Sequence, residues 1–268
     1  MPIPENACAV QRLDVNTKGR DFVAGDIHGC FSQVYSALFE LGFNRSTDRL
    51  ICAGDMIDRG RDSHKVLEFL SQPYVYGLRG NHEQLLVESP IEAIIELAQK
   101  NYGGLGWASY IPRRMLLQIK QAMAKLPLAI EVPTRTELIG VVHADVPDQM
   151  TWQEMVTQLK AEDEYTTEYV IGSRHRVKTT LLRGVEGVSK VFIGHTIVKD
   201  GPLRLGNVIA LDTGAYKREF GDQSYRMTVL NAATPLALIR QQEQQPMPPI
   251  SPRHWLAGAA EERSTSVL

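Results

Sequence analysis

The 268-residue sequence lacks several features that mark whole classes of protein. It has only three cysteines, Cys8, Cys30 and Cys52, with no C-x-x-C pair, and an odd count is a poor basis for a disulfide framework. No apolar run approaches the roughly 18 residues needed to cross a bilayer, and the first thirty residues contain no apolar core with basic flanks. These absences predict a soluble, cytoplasmic protein with no membrane partner.

A strong charge of either sign is also absent. Lys and Arg total 29 against 31 Asp and Glu, which gives a formal net charge of −2. Such a balance gives no electrostatic reason to expect nucleic acid as a partner. The 43% hydrophobic content is that of an ordinary globular protein with a sizeable core, and the oligomeric state stays open.

Composition divides the chain into three segments. Residues 1–20 are polar and without periodicity, so we predict an irregular N-terminal lead-in. Residues 21–240 carry the regular apolar patterns of a catalytic domain. Residues 241–268, with four prolines between positions 246 and 252, are predicted to be a disordered tail.

Strand and helix patterns alternate through the first half of this domain. Short apolar runs that end near glycine predict buried strands at residues 22–24, 50–53 and 75–78, with helical spacing between them. The second half is richer in predicted strands, at residues 128–132, 138–142, 191–193, 208–211, 225–230 and 236–239. The alternation indicates an α/β fold whose strand-end loops gather at one sheet edge.

Five motifs place potential metal ligands just after predicted strands. They are Gly25-Asp26-Ile27-His28-Gly29, Gly54-Asp55-Met56-Ile57-Asp58-Arg59-Gly60, Gly80-Asn81-His82-Glu83, Val142-His143-Ala144-Asp145 and Gly194-His195-Thr196. Carboxylate, imidazole and amide donors without cysteine suit a catalytic Mn²⁺, Fe²⁺ or Zn²⁺ site better than a structural zinc site. A lone Gly-Asp is usually a turn, but five such motifs in series predict one shared site.

The motifs resemble those of the phosphoprotein phosphatase family of calcineurin-like metallophosphoesterases, closest to its compact bacterial and bacteriophage serine/threonine phosphatases. Those relatives share His-Ala-Asp at residues 143–145 and Asp-Thr-Gly-Ala at residues 212–215, and the resemblance covers residues 21–231. It implies two mixed β-sheets packed face to face with helices outside, a four-layer αββα arrangement. It also implies two divalent cofactor ions, with Mn²⁺ favoured and Fe or Zn as alternatives.

The resemblance implies that two groups of residues hold the two ions. One ion would be bound by Asp26 and His28, the other by Asn81, His143 and His195, and Asp55 would bridge them. Two ions about 3.5 to 4 Å apart can share a hydroxide that attacks phosphorus in line.

The resemblance implies that the remaining motif residues donate a proton to the leaving group and bind the phosphate. His82 would be the general acid and Asp58 would orient it. Arg59 would bind phosphate oxygens through its planar fork, together with a second arginine. Arg174 is the best match for that second arginine, and Arg176 is a possible substitute.

The implied function is hydrolysis of phosphomonoesters, with a phosphoprotein or a small phosphomonoester as the partner. One alternative is a symmetrical diadenosine tetraphosphate hydrolase, a group that tends to have Ala in place of Asp58 and Asp in place of Glu83. A second alternative is a binding scaffold that has lost catalysis, but such proteins usually lose a ligand or the catalytic histidine. The residues at positions 58 and 83 favour a serine/threonine protein phosphatase.

Overall fold

The computed structural model describes residues 8–241. The strands are β1 (Val10–Arg12), β2 (Asp21–Ala24), β3 (Arg49–Cys52), β4 (Val75–Gly77), β5 (Ala129–Pro133), β6 (Leu138–Val142), β7 (Lys190–Ile193), β8 (Leu203–Leu205), β9 (Val208–Ala210) and β10 (Val229–Asn231). The α-helices are α1 (Phe31–Glu40), α2 (Val66–Leu70), α3 (Asn81–Glu88), α4 (Ile91–Gln99), α5 (Arg113–Ala124), α6 (Trp152–Lys160), α7 (Glu164–Gly172), α8 (His175–Thr179) and α9 (Ala215–Glu219). Short 3-10 helices lie at Ser63–Lys65, Tyr102–Tyr110 and Leu236–Leu238.

The strands form two mixed sheets. Strand order is β1-β5-β6-β7-β9-β8 in the six-stranded sheet and β10-β2-β3-β4 in the four-stranded sheet. Strands β2, β3 and β4 are parallel to one another, and so are β6, β7 and β9. Parallel strands end at the same edge of a sheet, so the loops that follow these six strands gather at two neighbouring edges.

Successive side chains of a strand point to opposite faces of its sheet, and this alternation determines what each face contacts. Val23 and Ile51 of the four-stranded sheet pack with Val141, Phe192 and Ile209 of the six-stranded sheet in a core between the sheets. The residues that alternate with them face outward, against helices α1 to α5 on one side and α6 and α7 on the other. The predicted sandwich of two mixed sheets with helices outside is confirmed.

Helix α6 shows how local sequence produces an outer layer. Trp152, Met155 and Leu159 recur at helical spacing and are buried against the six-stranded sheet. The Thr151 side chain accepts a hydrogen bond from the Glu154 amide, and the Glu154 carboxylate accepts one from the Thr151 amide, which satisfies donors of the first helical turn. Within residues 8–241, no helix combines the length and apolar character that crossing a bilayer requires.

Some segment predictions differ from the structure. The predicted irregular lead-in contains β1, which pairs in parallel with β5 in the register Val10 to Ala129, and three residues are too few to show a sequence period. Residues 236–239 are not a strand, since Leu236–Leu238 is a 3-10 helix after Pro235. The predicted strand at 225–230 is reduced to Val229–Asn231, and β8 was not predicted. The tail prediction falls on residues outside the described part, except for residue 241.

Candidate active site

The loops of the first two motifs are joined through their backbones. The amides of Ile27 and His28 both donate to the carbonyl of Asp55, at 3.1 and 2.8 Å. The Gly29 amide donates to the carbonyl of Met56 at 2.8 Å. The loops after β2 and β3 are thus held as one unit at the edge of the four-stranded sheet.

The candidate ligands converge on Asp55. Two groups have ligand atoms within 4.8 Å of one another: His28, Asp55 and His82, and Asp55, His143 and His195. Asp55 belongs to both groups, which is the geometry expected of a bridging carboxylate. The structure therefore brings together side chains that come from both sheets.

The other two predicted ligands lie beside these groups. Asp26 Oδ2 is 3.9 Å from His28 Nε2, and Asp26 Oδ1 accepts the backbone N–H of His195 at 2.9 Å. Asn81 Oδ1 is 3.0 Å from His143 Nε2. All six predicted ligands are thus within one cluster, although His82 is as close to Asp55 as His28 is, at 3.9 and 3.8 Å.

Backbone carbonyls fix the orientation of three histidine rings. His28 Nδ1 donates to the carbonyl of Ile57 at 2.9 Å, and His143 Nδ1 donates to that of Ala53 at 2.7 Å. His195 uses Nε2 to donate to the carbonyl of Gly172 at 3.0 Å. A neutral imidazole that donates from one nitrogen presents a lone pair on the other, so each ring directs a potential metal-binding nitrogen into the cluster.

Buried charge distinguishes this cluster from an ordinary polar turn. Burial, followed by repulsion from Asp212, raises the pKa of Asp26 well above its usual range. Burial also raises the pKa of Asp212 to about 6. Burial also acts to raise the pKa of Asp55. The nearby His143 and His82 outweigh burial, so the pKa of Asp55 lies well below its usual range. Three carboxylates so close together call for cations.

His82 and Asp58 form a close pair at the edge of the cluster. His82 Nδ1 donates to Asp58 Oδ2 at 2.7 Å, and both side chains are buried. Burial lowers the pKa of His82, but Asp55 and then Asp58 outweigh it, and the net pKa is raised. The second oxygen of Asp58 accepts the indole N–H of Trp107 at 2.7 Å, a contact that the sequence did not predict.

The Arg59 guanidinium lies across the mouth of the cluster. It donates to His28 Nε2 at 2.9 Å and to His82 Nε2 at 3.1 Å. It also stacks on the ring of Tyr216, 4.5 Å from the ring centroid. Arg59 is therefore placed beside both the candidate metal ligands and the candidate proton donor.

Comparisons with known proteins agree with this geometry. The family model described as calcineurin-like phosphoesterase matches residues 22–198. This chain belongs to the calcineurin-like phosphoesterase family. It is a metallophosphoesterase, and the matched segment contains all of the candidate metal ligands.

The share of a relative's length that aligns with this phosphoesterase differs from one relative to another. Serine/threonine-protein phosphatase 1 of Salmonella typhimurium is 32% identical over 221 residues, which cover 80% of this chain and 93% of the relative. A symmetrical bis(5'-nucleosyl)-tetraphosphatase of Wigglesworthia glossinidia brevipalpis is 40% identical over 79 residues, only 28% of this chain and 29% of the relative. A crystal structure of a candidate diadenosine tetraphosphatase, 22% identical with a TM-score of 0.52, covers 85% of this chain and 99% of that one, and shows the shared fold.

The donor set of this phosphoesterase fits divalent metal ions. Among the described residues, carboxylate and imidazole donors converge without any cysteine, a donor set that suits divalent metal ions. Two glycines leave space for this approach. A Cβ at Gly80 would collide with Asp55 Oδ1, and a Cβ at Gly194 would collide with Asp26 Oδ1.

The two candidate second arginines have different surroundings. Arg176 is 3% exposed, and its guanidinium donates to Asp145 Oδ1 and the Arg183 carbonyl, both at 2.6 Å. Arg174 is exposed in a groove of about 900 Å³ that also includes Asn81 and His195. Arg176 is thus engaged inside the protein, whereas Arg174 lies where a phosphate could reach it.

Glu83 holds two motif loops together, a function that the sequence indicated only as a family difference. Its carboxylate accepts backbone N–H groups from Asp55 and Gly80 at 2.8 Å, and from Met56 and Ile57 at 2.7 and 3.2 Å. Burial and the nearby Asp55 charge raise the pKa of Glu83 to about 7. One buried carboxylate thereby joins the second motif to the start of α3.

Several site residues adopt left-handed backbone conformations. Positive φ angles occur at His28 (47°), Asp55 (46°), Asp58 (71°), Arg59 (66°) and His195 (64°). Residues other than glycine pay a conformational penalty there, and such positions concentrate at functional sites. Tertiary hydrogen bonds, including those to Asp55 and Glu83, hold this strained backbone in place.

Proposed function

We propose that this phosphoesterase is a serine/threonine protein phosphatase. The observation that carries the proposal is the buried His82–Asp58 pair, with Arg59 beside it, directly against the candidate metal ligands. The extent of similarity supports it, because 93% of a relative named as a serine/threonine-protein phosphatase is matched, against 29% of a tetraphosphatase.

Two divalent ions, with Mn²⁺ as the favoured metal and Fe or Zn as alternatives, would be held by the residues of the cluster. The proposed ligands are Asp26 and His28 for one ion, Asn81, His143 and His195 for the other, and Asp55 for both. When bound, the ions would supply an activated water nucleophile and charge stabilisation for the phosphoryl group. We also propose a cytoplasmic location, for which the unpaired Cys8, Cys30 and Cys52 are suitable.

The chain's own residues would orient the phosphate and move one proton. Arg59 and Arg174 would donate hydrogen bonds to the phosphoryl oxygens from opposite sides. With the Arg59 guanidinium turned from His82 Nε2 to the phosphate, that nitrogen would carry a proton. His82 would give this proton to the departing alkoxide as the bond between phosphorus and the ester oxygen breaks. Asp58 would keep Nδ1 as a donor, so that Nε2 is the nitrogen directed at the substrate.

Symmetrical dinucleotide hydrolysis is the second candidate, because partial relatives and a fold neighbour carry tetraphosphatase names. The surroundings of two residues favour the protein phosphatase. Asp58 is fully buried between His82 and Trp107, and Glu83 reaches four backbone amides. A shorter side chain at position 83 would require those two loops to move closer together.

The test compares substrates on one metal-exchanged preparation. Initial rates are measured with phosphoserine, phosphothreonine and phosphotyrosine peptides, with p-nitrophenyl phosphate and with diadenosine tetraphosphate, each with added Mn²⁺. We expect the phosphoserine and phosphothreonine peptides to be cleaved faster than the dinucleotide. His82→Asn is the matched control, since it removes the proton donor and leaves the six proposed ligands in place.

The outcomes separate the candidate functions. Faster cleavage of the dinucleotide would replace the protein phosphatase proposal with the tetraphosphatase one. Equal and negligible rates of the wild type and His82→Asn on all substrates would favour a non-catalytic scaffold.

A further inference from the structure

A glycine-rich loop, residues 101–110, packs under the active site. The loop begins at Asn101 and continues as the 3-10 helix Tyr102–Tyr110. Asn101 and Gly103 both have positive φ angles. Trp107 and Leu105 are buried in the core between the four-stranded sheet and its helices. The loop is therefore anchored in the interior on one side of the site.

Trp107 completes the hydrogen bonding of Asp58. Its indole N–H donates to Asp58 Oδ1 at 2.7 Å, while Asp58 Oδ2 accepts from His82 Nδ1 at 2.7 Å. Asp58 is fully buried and Trp107 is 7% exposed. One strong donor on each oxygen fixes the plane of the carboxylate, and that plane sets the direction of the His82 ring.

The same loop also contacts the residue after Asp58. The Arg59 amide donates to the Gly104 carbonyl at 2.9 Å. A Cβ at Gly104, where φ is 89°, would lie 2.5 Å from the Arg59 amide nitrogen. The loop thus holds the backbone of Arg59 and the side chain of Asp58 at the same time, and both residues have left-handed backbone conformations.

We propose that Trp107 is a positioning residue for proton donation, acting through Asp58 on His82. The inference rests on the proposed phosphomonoesterase function. Without the indole N–H, Asp58 Oδ1 is a buried acceptor with no side-chain donor, and the carboxylate can turn away from His82. Proton transfer from His82 Nε2 to the ester oxygen is then slower, whereas the residues that hold phosphate and metal are unchanged.

The dependence on the leaving group distinguishes this role from a structural one. An alkoxide leaving from phosphoserine is strongly basic and needs the proton, whereas p-nitrophenolate is stable without it. Trp107→Phe should lower kcat on a phosphoserine peptide about ten-fold more than on p-nitrophenyl phosphate, the effect of one hydrogen bond to a charged group. In the His82→Asn background, Trp107→Phe should cause no further selective loss, because the two residues act in series.

Trp152→Phe is the matched control. Its indole N–H also donates to a buried carboxylate, Glu131 Oε1 at 3.0 Å, but it lies against the six-stranded sheet. This variant should leave the ratio of the two rates unchanged. If Trp107→Phe is poorly folded by circular dichroism, benzothienylalanine at position 107 keeps the ring shape and removes only the N–H.

The proposed function and this inference fail in different ways. Absence of wild-type activity on both phosphomonoesters would remove the proposed function itself. With an active wild type, an equal loss on both substrates, no loss on either, or a further selective loss in the His82→Asn background would overturn the role of Trp107. A selective loss on the alkyl ester that disappears without His82 supports it.

Discussion

The two sheets bring differently supported residues to the same site. On the four-stranded side, Asp58 is held by Trp107, and Arg59 is held by Tyr216 and by the Gly104 carbonyl. On the six-stranded side, the Arg174 guanidinium donates a hydrogen bond to the carbonyl of His195 at 3.1 Å and is exposed in a groove of about 900 Å³. The contrast sets closely held groups beside the proposed proton donor against an exposed arginine in an open groove. Under the proposed function, that open side would receive the substrate.

Asp55 is where both sides meet, so its change should have the largest effect. Asp55→Asn keeps the shape but removes the charge shared by both candidate ligand groups. We expect kcat to fall by more than about 10³-fold, because metal ions contribute several kcal/mol of charge stabilisation. Elemental analysis should show fewer than two ions per chain. Full metal content in this variant would contradict the bridging position.

Loss of the proposed proton donor should leave the proposed metal ligands intact. His82→Asn removes the group that is paired with Asp58, and we expect kcat on phosphoserine peptides to fall by about 10²- to 10⁴-fold, the usual contribution of general acid catalysis. Metal content measured on the same sample should match the wild type. A parallel loss of metal would mean that His82 acts as a ligand, consistent with its place 3.9 Å from Asp55.

Arg176 offers a test of the six-stranded side that concerns stability rather than catalysis. Arg176→Gln leaves the buried carboxylate of Asp145 without its charged partner, and should lower the free energy of unfolding by about 3 kcal/mol. Urea denaturation measures this loss. Activity per folded molecule should remain near that of the wild type, and a large fall in kcat would assign Arg176 to substrate binding after all.

The two arginines proposed to bind phosphate test the contrast between the sheets directly. Arg59→Lys and Arg174→Lys both keep the charge and lose the planar fork. We expect kcat/KM to fall by about 10²-fold for Arg59, which is held in place, and by about ten-fold for exposed Arg174. Steady-state kinetics with one phosphopeptide gives both values. An equal or larger effect at Arg174 would show that the open side contributes as much as the fixed side.

The strand-end positions of the site could be predicted because they depend on local patterns. A short apolar run followed by Gly and a polar ligand predicts a buried strand with its polar end at a sheet edge, and this holds for Asp26, Asp55 and His195. The strand at Val10–Arg12 was missed because its stability comes from pairing with residues far along the chain. Residues 236–239 were predicted to be extended from composition, yet the backbone turns after Pro235.

The sequence by itself determined which residues can serve as metal ligands, their order along the chain and the family to which it belongs, because motif spacing and glycine positions are local properties. Tertiary structure decided the rest. It placed Trp107 on Asp58 across 49 positions of sequence and Tyr216 under Arg59, and it engaged Arg176 inside the protein while leaving Arg174 exposed. Contacts of this range depend on how the two sheets and their loops pack, and no local pattern encodes them.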